Sequence, residues 1–291
     1  MQISKIVHNH WPLAVLIAVF CALAASFSLL LPLNEAVDEK SHFDLVRFIA
    51  EQNRFPTTNQ ERVSLGDKGD ASPIYHGLVA VLSQHVDVSS LPKRHTVSWA
   101  SQAIAYDTVL TTQDFHTEDE LFPFRGIVLA WRLARLVSIP LSALTIVAAY
   151  LTTMAIYPQQ RFFALTVAAF VAFVPRFVFN SAVITDDNLV IPLVSFAIYY
   201  QIRIIHGDER LRALVILGAV TGLAAITKYH SLVLLLEIAF VFLVLAWRNR
   251  REWKDWLKRW AWVMLSFVVT TGWWFFILFS RFNRVAELGL V

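Results

Sequence analysis

Two acidic residues, Asp38 and Glu39, follow directly on an apolar segment that runs from Trp11 to Leu33. Charge is costly inside a bilayer and cheap just outside it. An acidic pair at that exit is therefore either solvated surface or part of an active site. Further ionisable groups fall on the same side of the membrane in the topology derived below: Asp186 and Asp187, Lys228 and Arg176. Lys228 stands at the end of an apolar helix, where an ammonium would meet a lipid phosphate; a lysine there can equally snorkel to the headgroups. Arg132 and Arg135 are one helical turn apart and share a side of their helix. Guanidinium groups suit phosphate oxygens bidentately, and the same two residues could instead anchor the helix to headgroups. Arg176 follows Pro175 and needs a partner if it is buried. Asp186 and Asp187 precede a helix, whose N-terminal dipole favours acidic residues, so capping competes with a role in a site. His42, four residues after Asp38, can share a helix face with it. A divalent cation there is a further expectation, although a lone histidine beside carboxylates is more often a hydrogen-bonding group. His76, His85, His95 and His116 are scattered without ligand spacing, and no metal ligand is assigned.

The elements that must position these groups are membrane helices. The chain of 291 residues is 57% hydrophobic and 16% charged, with a mean hydropathy of +0.55, against about 25% charged residues in a soluble domain. A span needs about 20 apolar residues. Seven runs qualify: 12–33, 127–156, 162–179, 189–205, 212–226, 231–247 and 261–280. The run 212–226 is the shortest. All are continuous rather than alternating, which predicts helices and not a barrel. The fold class is thus all-α, a single polytopic membrane domain over 1–291, with about seven transmembrane helices and a large loop, 34–126, after the first. The first run is too long for a signal-peptide core and is read as a retained helix. Cys21 lies alone within it and makes no internal disulfide.

The loop 248–260 carries Arg248, Arg250, Arg251, Lys254, Lys258 and Arg259, whereas 180–188 has no lysine or arginine and 227–230 has only Lys228. This asymmetry predicts a cytoplasmic N-terminus and an extracytoplasmic loop 34–126, in a multi-pass protein of the inner, plasma membrane. The basic loop also accounts for most of the pI of about 9.1 and points to anionic lipid of the bilayer rather than to nucleic acid. Within the large loop, 41–52 and 74–86 show helical periodicity, with Phe43, Leu45, Phe48 and Ile49 on one and Ile74, Leu78, Val81 and Leu82 on the other. Both read as amphipathic helices on the membrane surface, with Ser41 capping the first. The segment between them is polar and turn-rich. Glu237 is the one acidic residue inside the last five runs, and a helix–helix hydrogen bond explains it best.

Four phrases, in order, carry a resemblance: Asp38-Glu39-Lys40-Ser41-His42 followed by FDLVRFIAEQNRFP; Phe122 to Gly126 leading into the helix with Arg132 and Arg135; PRFVFNSAVITDDN from Pro175 to Asn188; and GLAAITKYHSL from Gly222 to Leu232. Together with the topology they resemble the GT-C glycosyltransferases, in particular bacterial family-39-like protein mannosyltransferases and lipid A aminoarabinose transferases. The resemblance implies a membrane glycosyltransferase that moves a sugar from a polyprenyl-phosphate carrier to a glycan, lipid or protein acceptor on the extracytoplasmic face. It implies that Asp38 is the catalytic carboxylate with Glu39 beside it. Lys228, Arg132, Arg135 and Arg176 would then bind the carrier phosphate, with Asp186 and Asp187 as further site carboxylates. Here Asp186-Asp187 departs from that family's more usual Asn-Asp wording. Such proteins generally continue past the seventh helix, so the chain is expected to be their N-terminal module, whether fragment, partner-completed or inactive relative. A transporter or scaffold subunit is the alternative class. It fits less well, because the charges gather at helix ends on one face rather than near mid-membrane.

Overall fold

A computed structural model of the chain describes residues 2–86, 118–249 and 253–282. His95, His116, Arg250 and Arg251 lie outside these residues. Every regular element among the described residues is helical. In chain order these are α1 (Gln2–Leu30), α2 (Glu39–Gln52), α3 (Asn59–Ser64), α4 (Pro73–Ser83), α5 (Gly126–Ile156), α6 (Arg161–Ala172), α7 (Pro175–Ser181), α8 (Asp187–Ile205), α9 (Leu211–Thr227), α10 (Val233–Asn249) and α11 (Trp253–Phe282). Short 3₁₀ turns occupy Gly66–Lys68, Glu118–Glu120 and Tyr229–Leu232.

All seven apolar runs are helical, but they do not make seven equal spans. Among the described residues, five helical stretches are long and apolar enough to cross a bilayer: His10–Leu30, Gly126–Ile156, Asp187–Ile205, Tyr229–Arg248 and Trp253–Ser280. The run 162–179 is broken into α6 and α7, bent by 66°. Proline at 175 explains the break, since it has no N–H to give the preceding turn and its ring clashes with the carbonyl four residues back. The run 212–226 becomes α9, whose 17 residues reach about 25 Å, short of a hydrocarbon core of about 30 Å.

What α9 lacks in length it makes up in packing. Gly218 and Gly222, four residues apart, face α11 so closely that a Cβ on Gly218 would fall 2.2 Å from the Val263 carbonyl oxygen, and one on Gly222 2.9 Å from Thr270 Cβ. Ser266 Oγ donates to the Val215 carbonyl across the same seam at 2.7 Å. Small residues that let two backbones approach are the main means of joining helices where lipid removes the hydrophobic driving force.

The described part of the large loop packs against the ends of the spans. α2 and α4 pack together and onto α5, burying Phe43, Leu45, Val46 and Ile49 with Tyr75, Val79 and Ala80 against Trp131. Leu78, Val81 and Leu82, on the apolar face expected of α4, are half exposed, and it is the other face that packs against α2 and α5. The buried face of α4 includes Tyr75 and His76, polar-tipped residues that an apolar pattern does not count. α2 also starts earlier than expected, with Asp38 rather than Ser41 at its N-cap. Glu237 makes no helix–helix bond. It lies on the exposed side of α10 beside Leu236 and Phe240 and has no partner among the described residues.

Candidate active site

The exit of α1 is built around a buried ion pair. Glu39 and Arg135 are both fully buried. Arg135 Nε and Nη2 donate to the two Glu39 oxygens at 2.7 Å each. Arg135 also donates to the carbonyls of Ser28, Leu31 and Pro32 at 3.0, 2.7 and 2.8 Å. Arg132 donates to Ser28 and Leu31 as well, and its guanidinium stacks on Phe124. Both arginines of α5 thus take up carbonyls that the C-terminus of α1 leaves without intrahelical donors. They share one side of their helix, but that side faces α1 and not the cavity described next.

Glu39 reaches further. Its Oε1 accepts from the Ile184 N–H at 3.1 Å and its Oε2 from the Asn34 N–H at 3.3 Å. This ties the start of α2 to the loop between α7 and α8. Two more side chains hold the same loop. Tyr75 Oη accepts from the Thr185 N–H at 3.1 Å while paired with Ser138 Oγ at 2.8 Å. Asn188, buried, donates to the carbonyls of Asn180 and Val183 and accepts from Ser142 Oγ at 2.7 Å. The buried side chains of Glu39, Arg135, Tyr75 and Asn188 all find hydrogen-bond partners, as burial requires. The product of this cluster is a fixed position for Asp186 and Asp187.

Beside this framework opens a cavity of about 130 Å³ whose walls include Asp38, His42, Lys68, Arg176, Asp187 and Lys228. Asp38 stands at the N-cap of α2 with φ of +60°, a left-handed conformation that aspartate tolerates better than most residues. An N-cap aspartate ordinarily accepts a hydrogen bond from its own helix, but Asp38 makes no such bond. Its carboxylate is half exposed and stands 3.6 Å from Lys68 Nζ. Asp186, at the N-cap of α8, makes no side-chain cap either. Instead Lys228 Nζ lies 2.6 Å from Asp187 Oδ1 and 3.1 Å from the buried Asp186 Oδ1. Burial alone would lower the Lys228 ammonium's pKa, yet the two carboxylates hold it above the ordinary lysine value. Arg176, on α7, is exposed with its guanidinium 5.5 Å from the Phe179 ring and has no ion-pair partner among the described residues.

The cavity therefore brings together Asp38, Lys228, Arg176 and Asp187 of the residues singled out from sequence, with Asp186 directly behind. It leaves Glu39, Arg132 and Arg135 in the supporting layer. Lys68 and the pair His42–His76 are additional. Lys68 sits in a turn framed by Gly66, with φ of +62°, and Gly69, where a Cβ would fall 2.2 Å from the Arg62 carbonyl oxygen. Those two glycines are the sequence signal that this stretch is a built turn rather than a loose one. The rings of His42 and His76 are nearly parallel, with centroids 5.2 Å apart, and meet edge to edge with His42 Nδ1 2.9 Å from His76 Nε2. No group of three or more histidine, cysteine or carboxylate side chains is arranged for a metal ion among the described residues.

The model of the dolichyl-phosphate-mannose-protein mannosyltransferase family matches residues 130–275, half of the chain. The chain belongs to this family. It is accordingly a membrane glycosyltransferase of the GT-C type. The mannosyltransferase match takes in Arg132, Arg135, Arg176, Asp186, Asp187 and Lys228, and begins downstream of Asp38, Glu39 and Lys68. No individual curated protein matches the chain.

Proposed function

We propose that the chain transfers a sugar from a polyprenyl-phosphate carrier to an acceptor hydroxyl, at the extracytoplasmic face of the plasma membrane. What supports this reading is one observation: a carboxylate that does not cap its own helix shares a small cavity with three cations, Lys68, Arg176 and Lys228. The cations suit the phosphate that leaves. Phosphoryl oxygens gain most from donors already in place as charge develops, and Arg176 has no competing carboxylate among the described residues. Lys228, though paired, keeps its charge because of Asp186 and Asp187. Asp38 takes the acceptor's proton as its oxygen attacks the anomeric carbon. The bond from that carbon to the phosphate oxygen breaks, and its electron pair leaves with the polyprenyl phosphate. Lys68, 3.6 Å from Asp38, orients the carboxylate between turnovers. In this reading Arg132, Arg135 and Glu39 position the site without touching the carrier. A divalent cation is not required by it.

The acceptor is a glycan, lipid or protein hydroxyl. The test is transfer of radiolabelled mannose from dolichyl-phosphate mannose in membranes holding the chain. Asp38→Asn keeps size and polarity but removes the base, so transfer should drop roughly 10²-fold or more with carrier affinity nearly unchanged. Lys228→Ala should weaken carrier binding by about 1–3 kcal/mol, the scale of a charge-assisted contact. Full transfer by Asp38→Asn would move the base elsewhere and remove the core of the proposal.

A further inference from the structure

The two paired histidines are not used by the chemistry above, although one of them lines the cavity. Their hydrogen bonds fix their tautomers. His76 Nδ1 is 2.9 Å from the Ser72 carbonyl, which only accepts, so that nitrogen carries a proton. His76 is fully buried and neutral, which leaves its Nε2 as an acceptor. His42 Nδ1, 2.9 Å from that Nε2, must then be the donor. A neutral His42 consequently presents Nε2 as a bare lone pair. This nitrogen has no hydrogen-bond partner among the described residues, on a side chain only 2% exposed whose ring forms part of the cavity wall. The nearest charged group, Asp186 Oδ1 at 3.9 Å, is itself an acceptor and cannot satisfy it. The ring is buried but this nitrogen opens on the cavity, so its lone pair is free for a donor from a bound ligand.

We infer that His42 Nε2 is a recognition site for a hydroxyl group of the transferred sugar, held in the accepting tautomer by His76 and Ser72. The location favours the sugar over the acceptor molecule. His42 Nε2 and Lys228 Nζ lie 3.9 and 3.1 Å from the same Asp186 oxygen, so a phosphate held by Lys228 places the group bonded to it against His42. The chemistry favours recognition over proton abstraction. Burial first, then His76, Lys68 and Lys228, hold the His42 imidazole down at about 2, and burial lowers His76 too. Asp38, Asp187 and Arg176 line the same cavity as His42, and Asp186 lies beside its Nε2. So weak a base accepts a hydrogen bond without taking the proton, which leaves Asp38 as the base.

This inference rests on the carrier reading, and the experiment separates the two. In nanodiscs, the full chain should bind dolichyl-phosphate mannose, or dolichyl-phosphate glucose, roughly tenfold more tightly than bare dolichyl phosphate, the scale of one well-placed hydrogen bond. His42→Phe should erase that preference while keeping its affinity for bare dolichyl phosphate, which also reports that the variant is folded. His42→Gln, whose amide oxygen reaches the position of Nε2, should restore much of it, and His85→Gln, in the exposed turn just past α4, should change nothing. Equal affinity of the unaltered chain for bare and sugar-bearing carriers, or an undiminished preference in His42→Phe, overturns the sugar site and leaves the carrier reading intact. If neither carrier binds the unaltered chain, the carrier reading fails, and the sugar site is decided by nitrogen-15 resonances. A pyridine-type His42 Nε2 that shifts on titration with methyl α-mannoside supports it, and an imidazolium signal or no shift overturns it.

Discussion

Substituting glutamine for Glu39 should unfold the site, whereas asparagine for Asp38 should silence it in place. The two acids are neighbours in sequence and opposites in setting. Glu39 is fully buried and accepts from both arms of Arg135 and from the N–H groups of Ile184 and Asn34. Removing its charge leaves the Arg135 guanidinium buried without its counter-ion, and breaking such a pair costs about 3–5 kcal/mol. The Ser28, Leu31 and Pro32 carbonyls still accept from Arg135, which puts Glu39→Gln toward the lower end of that range. Asp38 is half exposed, its single close cation stands 3.6 Å away, and an exposed pair is worth roughly 0–1 kcal/mol. Asparagine also tolerates its left-handed backbone. Equilibrium unfolding in matched detergent should therefore show Glu39→Gln strongly destabilised and Asp38→Asn close to the unaltered chain, while transfer falls in both. The Glu39→Gln/Arg135→Gln pair should lose much less than the two single losses together, because the residues act as one unit. Equal stability losses at positions 38 and 39, or full additivity in the pair, would refute the division into supporting layer and reacting group.

Three further outcomes are expected. The folded-state pKa of His42 lies below its ordinary 6.5, at about 2, so protons bind the unfolded chain more tightly. Stability should be fully present above about pH 6.5 and fall as pH drops below it, and His42→Gln should flatten that slope in thermal melts from pH 4 to 8. Gly218→Ala should destabilise the α9–α11 seam by at least 1–3 kcal/mol, as overpacking does, because its Cβ meets backbone at 2.2 Å; an unchanged melting temperature would show that the helices part freely. In a Cys21→Ser background, cysteine at Ser64 should react with an impermeant maleimide in intact cells and cysteine at Lys254 should not. Reversed labelling would place the cavity in the cytoplasm and exclude the proposed reaction.

The helices were legible because apolar runs of span length have few other solutions in a bilayer. The break in the third was legible only as Pro175, since a run of hydropathy says nothing of direction and a 66° bend changes direction alone. The partners of Arg132 and Arg135 were not legible. Periodicity places the two on one side of α5, but whether that side meets lipid phosphate or the carbonyl end of α1 depends on a contact roughly a hundred residues away. The same limit hid the separation of Asp38 from Glu39. Adjacent residues at a helix start point in different directions, and only the packing of α2 on α5 decides which one is buried.

The capping alternative for the carboxylates is where sequence and structure meet most usefully. Asp38 and Asp186 both hold N-cap positions, the place where aspartate is expected for purely local reasons, and neither side chain caps its helix. Each gives up a local hydrogen bond worth roughly 0.5–2 kcal/mol and turns toward a lysine from a different part of the chain: Lys68 for Asp38 and Lys228 for Asp186. Local preference yields in this way only when the surrounding structure holds the alternative in place. The clamps that do so are the ones already named, Glu39–Arg135 at the start of α2, and Tyr75 and Asn188 on the loop before α8. Two helix starts that forgo their caps around one cavity suit the proposed proton transfer beside a phosphate, because carboxylates bonded to their own backbone would have neither the direction nor the free lone pairs for it.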